Sequence, residues 1–224
     1  MNPMTHLALA TAAFVGMHYL SSTPLRAALV KALGENAYLG LYSLVSVATL
    51  GWMIWAYPRA PAATLWPGLR LAPLALMPVA LVLFTCAVMT RNPSAVLQQG
   101  ALRSPDAVRG ILRVTRHPMM WAFALWGLCH LLARGDAASL IFFGGFVLLA
   151  LSGTLLIDAR KAATLGEDWK RFAAATSNIP FAAIIAGRNS FRPGEIGWTK
   201  ILTGLALYAG LLVLHPTLFG ARPY

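Results

Sequence analysis

Histidine is the residue type in this sequence best suited to bind a metal or a metal cofactor, and it occurs at His6, His18, His117, His130 and His215. At least three of the five fall in, or at the mouth of, a long apolar segment. Ionisable side chains at membrane depth are costly and therefore indicate a functional site. The alternative is that each imidazole bonds a neighbouring group of the protein. Neutral imidazoles from two separate helices are one arrangement that holds a haem iron inside a helical bundle.

The spacing of these histidines limits which of them can share a ligand. At the rise and rotation of an α-helix, His117 and His130 lie roughly 20 Å and about 140° apart, so they do not meet at one small ligand. His130 shares a helical face with Phe123 and Trp126, seven and four residues earlier. That flat apolar stripe suits the face of a porphyrin, and it equally suits a packing seam.

Composition identifies the elements that must position these side chains. Of the 224 residues, 58% are hydrophobic and 11% are charged, and a soluble domain carries roughly twice that charged fraction. A helix needs about 20 apolar residues to cross the ~30 Å hydrocarbon core. Several segments meet this test, so we predict an all-α polytopic membrane helical bundle of about six transmembrane helices that forms a single domain over residues 1–224. The predicted spans are residues 5–20, 37–57, 71–90, 119–133, 138–157 and 198–215.

The formal net charge of +11 is concentrated in short loops between the apolar segments. The loops after the first, third and fifth spans hold most of the Lys and Arg, so the positive-inside rule makes them cytoplasmic and puts both termini on the other side. We therefore expect a bacterial inner-membrane protein with periplasmic termini rather than a nucleic-acid-binding protein. No Lys or Arg precedes Arg26, so the first segment is predicted to be a span and not a signal peptide. Cys86 and Cys129 lie in apolar segments and are expected to be small buried hydrophobes.

Two basic segments are predicted to be amphipathic and cytoplasmic. In residues 104–116, the side chains of Arg109, Arg113 and Arg116 share one helical face, and apolar residues line much of the remainder. Residues 158–176 mix charges of both signs with Leu, Trp and Phe. Each of the two segments is expected to lie at the lipid surface, and the alternative is that it binds a cofactor.

Several motifs of the sequence resemble those of the NnrU family. They are residues 17–26 (MHYLSSTPLR), residues 33–38 (LGENAY), the Arg116-His117-Pro118 triplet with the later His130, residues 166–169 (GEDW), residues 176–181 (TSNIPF), residues 187–189 (GRN) and the closing His215-Pro216. Together they cover nearly the whole chain. The NnrU family in turn looks related to the 15-cis-zeta-carotene isomerases of plants and cyanobacteria, membrane proteins that use haem b to isomerise a carotenoid double bond.

This resemblance implies a haem b whose iron is held by His18 and His130, which match the positions proposed as axial ligands. By helical rise, His18 lies about 20 Å below the outer face and His130 about 5 Å below it, so His117, nearer in depth to His18, is the alternative second ligand. The haem propionates would need cationic partners. The best placed are Arg113 and Arg116, followed by Arg26. Trp126 and Phe123 would contact the porphyrin.

The resemblance implies an apolar isoprenoid as substrate, or a role in nitric oxide and denitrification metabolism. A membrane methyltransferase that uses S-adenosylmethionine, of the isoprenylcysteine or phospholipid type, is an alternative, since those enzymes also place Arg-His-Pro before a late span. A non-catalytic haem carrier or sensor is a third class, because two histidine ligands leave no open position on the iron. The sequence identifies no catalytic side chain and does not predict the oligomeric state.

Overall fold

The computed structural model describes residues 1–104 and 106–223, and over these ranges the chain forms nine α-helices and no β-strand. The helices are α1 (Pro3–Leu20), α2 (Pro24–Leu33), α3 (Glu35–Ala56), α4 (Ala72–Val88), α5 (Ile111–Val114), α6 (Pro118–Arg134), α7 (Ala137–Ala175), α8 (Ala182–Ile185) and α9 (Trp198–Phe219). Short 3-10 turns follow α3 and precede α5 and α9. The chain is thus a helical membrane protein, as the composition predicts.

Each of the six predicted spans coincides with a helix, namely α1, α3, α4, α6, α7 and α9. Three of these, α3 with its following turn, α7 and α9, are both long and apolar enough to cross a bilayer, and α4 is a shorter apolar helix. The total of six crossings therefore stays a prediction. The sequence analysis did not predict α2, which begins at Pro24, a position where the missing N–H of proline costs no helical hydrogen bond.

The long helices pack in the spatial order α3, α1, α7, α6, α4 and α9, each in contact with the next. The main apolar core lies between α1, α3 and α7, around Leu7, Met53 and Phe142. On the outside, large apolar side chains face away from the protein, such as Leu44 on α3 and Val213 on α9. A continuous apolar exterior of this kind suits contact with lipid.

Neither predicted amphipathic segment is a separate helix at the lipid surface. In the segment 104–116, of which Pro105 lies outside the described residues, only α5 is helical. Gly110 has a positive φ of 59°, which interrupts any longer helix, and Leu112 is buried against Cys86 of α4 instead of facing lipid. The segment 158–176 continues α7 to Ala175 and bends at Gly166.

The packing of α9 on α4 depends on a glycine. A Cβ on Gly204 would lie 2.7 Å from the Cα of Val82 and 2.8 Å from the Oγ1 of Thr85, closer than real Cβ atoms approach such neighbours. The close contact lets the Thr85 hydroxyl donate a hydrogen bond to the Lys200 carbonyl at 2.9 Å. Small residues at such contacts are what allows membrane helices to approach closely.

Replacement of Gly204 by Ala is expected to push α9 away from α4 and to destabilise the protein by about 1–3 kcal/mol, the usual cost of overpacking. Thermal unfolding of the detergent-purified protein measures this. The matched control is Gly210→Ala on the same helix, where an added Cβ meets nothing within 4 Å. Equal melting temperatures for the two variants would contradict the proposed packing.

Candidate functional site

A large cavity with a volume of about 800 Å³ lies between α1, α3, α6 and α7. Its walls are mostly apolar, and its polar groups gather at the end near the loop after α1. The apolar lining includes Phe14, Leu39, Leu50, Met120, Phe123, Phe146, Leu149, Leu156 and Ile157, and the polar lining includes His18, Ser21, Ser22, Arg26, Glu35, Tyr38, Tyr42, Ser46, Arg160 and Lys161. Its size is in the range that holds a bulky organic ligand.

His18 lines this cavity with a fixed ring orientation. Its Nδ1–H donates to the Phe14 carbonyl at 2.6 Å, and because a carbonyl only accepts, the Nε2 atom carries the lone pair. The Ser46 hydroxyl lies 3.4 Å from that Nε2 and can donate to it. The ring also contacts Phe14 and Tyr42, at centroid distances of 4.5 and 5.7 Å. A histidine held in this way is prepared to offer Nε2 to a metal.

Four polar residues at this end of the cavity were not identified by the sequence analysis: Tyr38, Tyr42, Arg160 and Lys161. Arg160 and Lys161 were assigned to a surface segment, but the continuation of α7 carries them onto the cavity wall. The sequence feature that could have indicated these two residues was their position, three and four residues beyond the predicted end of the fifth span. Arg26, which was predicted to contact the cofactor, does line the cavity and pairs with Glu35 at 2.7 Å.

His130 does not line this cavity. It lines a separate small pocket of about 40 Å³ between α4, α6 and α9, together with His215. The two imidazoles are nearly parallel, at a centroid distance of 6.4 Å and an angle of 20°. Each donates its Nδ1–H to a backbone carbonyl, that of Trp126 for His130 and that of Ala221 for His215. Within residues 1–104 and 106–223, no group of three or more His, Cys, Asp or Glu side chains forms a metal site.

Aromatic rings occupy the space between His18 and His130. His18 contacts Phe14, Phe14 contacts Phe146 at 5.3 Å, Phe146 contacts Trp126 at 5.1 Å, and Trp126 contacts His130 at 5.2 Å. The structure thus brings neither the two histidines nor Trp126 to one cavity, although Phe123 does line the cavity of His18. Joint ligation of one iron by His18 and His130 stays a prediction that requires these rings to move.

His117 and Arg116 meet Asp158 of α7 in a partly buried hydrogen-bonded network. The Nε2–H of His117 donates to Asp158 Oδ1 at 2.7 Å, and the Arg116 guanidinium forms two N–H bonds to both carboxylate oxygens. His117 is only 2% exposed. Neither residue lines the large cavity, so this network fastens the start of α6 to α7.

The same junction brings two of the sequence motifs together. The backbone N–H of Arg116 donates to the Ser177 carbonyl at 2.9 Å, and the indole N–H of Trp121 donates to the Asn178 carbonyl at 2.8 Å. The Asn178 amide in turn donates to Thr154 of α7 at 2.7 Å. The Arg-His-Pro and TSNIPF motifs therefore have a shared structural role in joining α6, α7 and the loop before α8.

Arg113 is also engaged outside the cavity. Its Nε–H donates to Glu195 at 2.7 Å, and another of its N–H groups donates to Asn189 at 2.6 Å. The hydrogen bond from Arg113, together with one from the backbone N–H of Gly110, lowers the pKa of Glu195 from 4.5 to about 2. This pair joins α5 to the turn before α9. Arg113 and Arg116 therefore both have carboxylate partners in the chain itself.

Removal of the Asp158 charge is expected to destabilise the protein strongly, because the partly buried Arg116 would lose its counter-charge and the buried His117 would lose its acceptor. An Asp158→Asn variant should lose about 3–5 kcal/mol of stability and give a low folded yield. Size-exclusion chromatography and thermal unfolding in detergent measure both. The matched control is Asp168→Asn, whose exposed pair with Arg171 lies on the same helix and is worth at most about 1 kcal/mol. Equal stability of the two variants would exclude the structural role of Asp158.

Comparisons with known proteins place the chain among membrane proteins of one family. The family described as NnrU protein matches residues 6–223. The chain is similar to the chloroplastic 15-cis-zeta-carotene isomerase of Arabidopsis thaliana, with 36% identity over 115 residues. That match covers 50% of this chain and 31% of the plant protein.

The chain is also similar to the chloroplastic 15-cis-zeta-carotene isomerase of Zea mays, with 38% identity over 79 residues. This second match covers 35% of the chain and 22% of the maize protein, so the chain corresponds to less than a third of either relative. No solved structure matches the chain. Because the family match extends over nearly every residue, from the first turn of α1 to beyond the end of α9, the chain belongs to the NnrU family.

Proposed function

We propose that the chain is an integral membrane isomerase that acts on a double bond of a carotenoid or another isoprenoid, and that the large cavity beside His18 is its active site. The observation that carries the proposal is the combination of an apolar cavity with a single oriented imidazole. The names of the two plant relatives support the reaction class. The basic loops support an orientation with both termini on the periplasmic side of a bacterial inner membrane.

A haem b group fits the lining of this cavity. His18 would hold the iron through Nε2, and Phe14 and Ser46 would hold the imidazole in place. Phe123 and Phe146 would provide apolar contacts and exclude water. When bound, haem b supplies an iron centre that can change its oxidation state and accept a further ligand.

A single histidine ligand favours an isomerase over an electron carrier. If His18 were its only protein ligand, a bound haem would keep an open coordination position for a further ligand, which a second histidine would fill. The same open position would bind nitric oxide, so a haem sensor linked to nitric oxide or denitrification metabolism is the second candidate function. The methyltransferase alternative is based on Arg116-His117-Pro118, and both ionisable side chains of that motif are bonded to Asp158.

The proposal predicts different outcomes for the two histidines. His18→Ala should lose the haem absorbance of the purified protein and its isomerisation of a cis-carotene, whereas His130→Ala should keep at least half of both. Absorbance with and without dithionite measures the haem, and chromatography of extracted carotenoids measures the reaction. His18→Gly supplemented with imidazole should regain the absorbance, since free imidazole can occupy the vacated ligand position.

Full retention of the haem spectrum by His18→Ala would refute ligation by His18. Loss of the spectrum in both alanine variants would instead support the two-histidine ligation predicted from the sequence. A wild-type protein that carries haem and binds nitric oxide, but leaves every cis-carotene unchanged, would favour the sensor.

A further inference from the structure

The polar end of the large cavity contains more positive charge than the protein neutralises. We propose that this end binds an anionic group, a carboxylate or a phosphate, carried by a ligand whose apolar body fills the rest of the cavity. We call Tyr38, Arg160 and Lys161 the anion subsite. The inference relies on the proposed function in one respect: the same cavity is taken as the active site.

Lys161 is the most buried cation of the subsite. Its residue is 8% exposed, and within residues 1–104 and 106–223 its ammonium finds one acceptor, the Ala95 carbonyl at 3.2 Å. An ammonium group has three N–H donors and a full charge, and burial of that charge is costly unless a counter-charge accompanies it. The cavity that Lys161 lines is the space from which such a counter-charge can reach it.

Arg160 adds a second uncompensated charge. In the described part of the chain its guanidinium has one hydrogen bond, to the Ser21 carbonyl at 3.3 Å, and no carboxylate partner. The nearby acid, Asp158, is already bonded to Arg116 and His117. Arginine offers a planar fork of donors that matches a carboxylate or a phosphate, and most of these donors remain available for a ligand.

Tyr38 supplies an independent indication of a ligand. It is 4% exposed, and its hydroxyl has no hydrogen-bond partner among the described residues. A buried hydroxyl without a partner is destabilising, so an acceptor brought by a ligand would remove that cost. The acid at this end, Glu35, is paired with Arg26, whose guanidinium also lies over the Tyr38 ring at 5.4 Å.

These contacts define the chemical class of the ligand. A pure hydrocarbon such as a carotene would leave the charges of Arg160 and Lys161 without a counter-charge and the Tyr38 hydroxyl without a hydrogen-bond partner. An amphipathic anion satisfies them and places its apolar body against Phe123 and Phe146. Two sources share this chemistry: the propionates of a haem, and the acidic head of an isoprenoid such as a prenyl phosphate.

The test compares anionic and neutral forms of each ligand. The purified haem-free protein is titrated in detergent with haem b and with its dimethyl ester, and separately with farnesyl phosphate and farnesol. The wild type should bind the anionic member of at least one pair about tenfold more tightly. Arg160→Gln with Lys161→Gln should remove that preference. Preference in the haem pair assigns the subsite to propionates, and preference in the farnesyl pair assigns it to a lipid head.

The matched control is Lys170→Gln with Arg171→Gln, which removes the same net charge from the exposed continuation of α7 and should keep the preference. Tyr38→Phe deletes one hydroxyl and should weaken binding of the anionic form about threefold. This variant provides the test if the Arg160→Gln and Lys161→Gln double variant does not fold. Equal binding of the charged and neutral forms by the wild type would overturn the anion subsite. Dependence of haem binding on His18 is measured separately, so either idea can fail while the other survives.

Discussion

The packed aromatic side chains of Phe14, Phe146 and Trp126 are the physical constraint on which the rest of the structure depends. They join α1, α7 and α6 through edge and tilted ring contacts, and in doing so they separate His18 from His130. Aromatic pairs of this kind are worth about 0.5–1.5 kcal/mol each beyond the area that they bury. On one side of these three rings lies a cavity with a single imidazole, that of His18. On the other side lies a small pocket with two imidazoles, those of His130 and His215.

The walls of the large cavity are held by polar contacts at the basic end of the bundle. Asp158 fastens α6 to α7, and the carbonyls of Ser21 and Ala95 accept from Arg160 and Lys161. The loops after α1 and α4 are in this way both tied to α7. These contacts determine where the cavity ends. The apolar exterior of the helices is suited to contact with lipid. The cationic groups at one end of the cavity and the apolar walls of the rest match the two ends of the amphipathic ligand that we propose.

The helical architecture was predictable from the sequence because apolar length and loop charge are strong signals in membrane proteins. Each of the six predicted spans coincides with a helix, and His18, which was predicted to be a site residue, lines the large cavity. Contacts across the bundle were not predictable. Arg113 and Arg116 were expected to bind the haem propionates because they lie on the cytoplasmic approach to the predicted site. In the structure Gly110 interrupts their segment, and Glu195 and Asp158 bind the two side chains. The position of Arg160 and Lys161 on the cavity wall was not predicted, because the part of α7 beyond its apolar segment cannot be recognised from hydropathy.

The central claim is that the cavity beside His18 is where the reaction takes place, and a substitution that fills the cavity tests it most directly. Gly153 lines the cavity, and an added Cβ there meets only the Met120 sulfur, at 3.7 Å, so Gly153→Leu should fold and occupy the ligand volume. Gly144→Leu on the same helix lies outside the cavity and serves as the control. The quantity to measure is the rate of cis-carotene isomerisation by each variant in membranes. We expect Gly153→Leu to be at least tenfold slower than the control, and equal rates in the two variants would contradict the account.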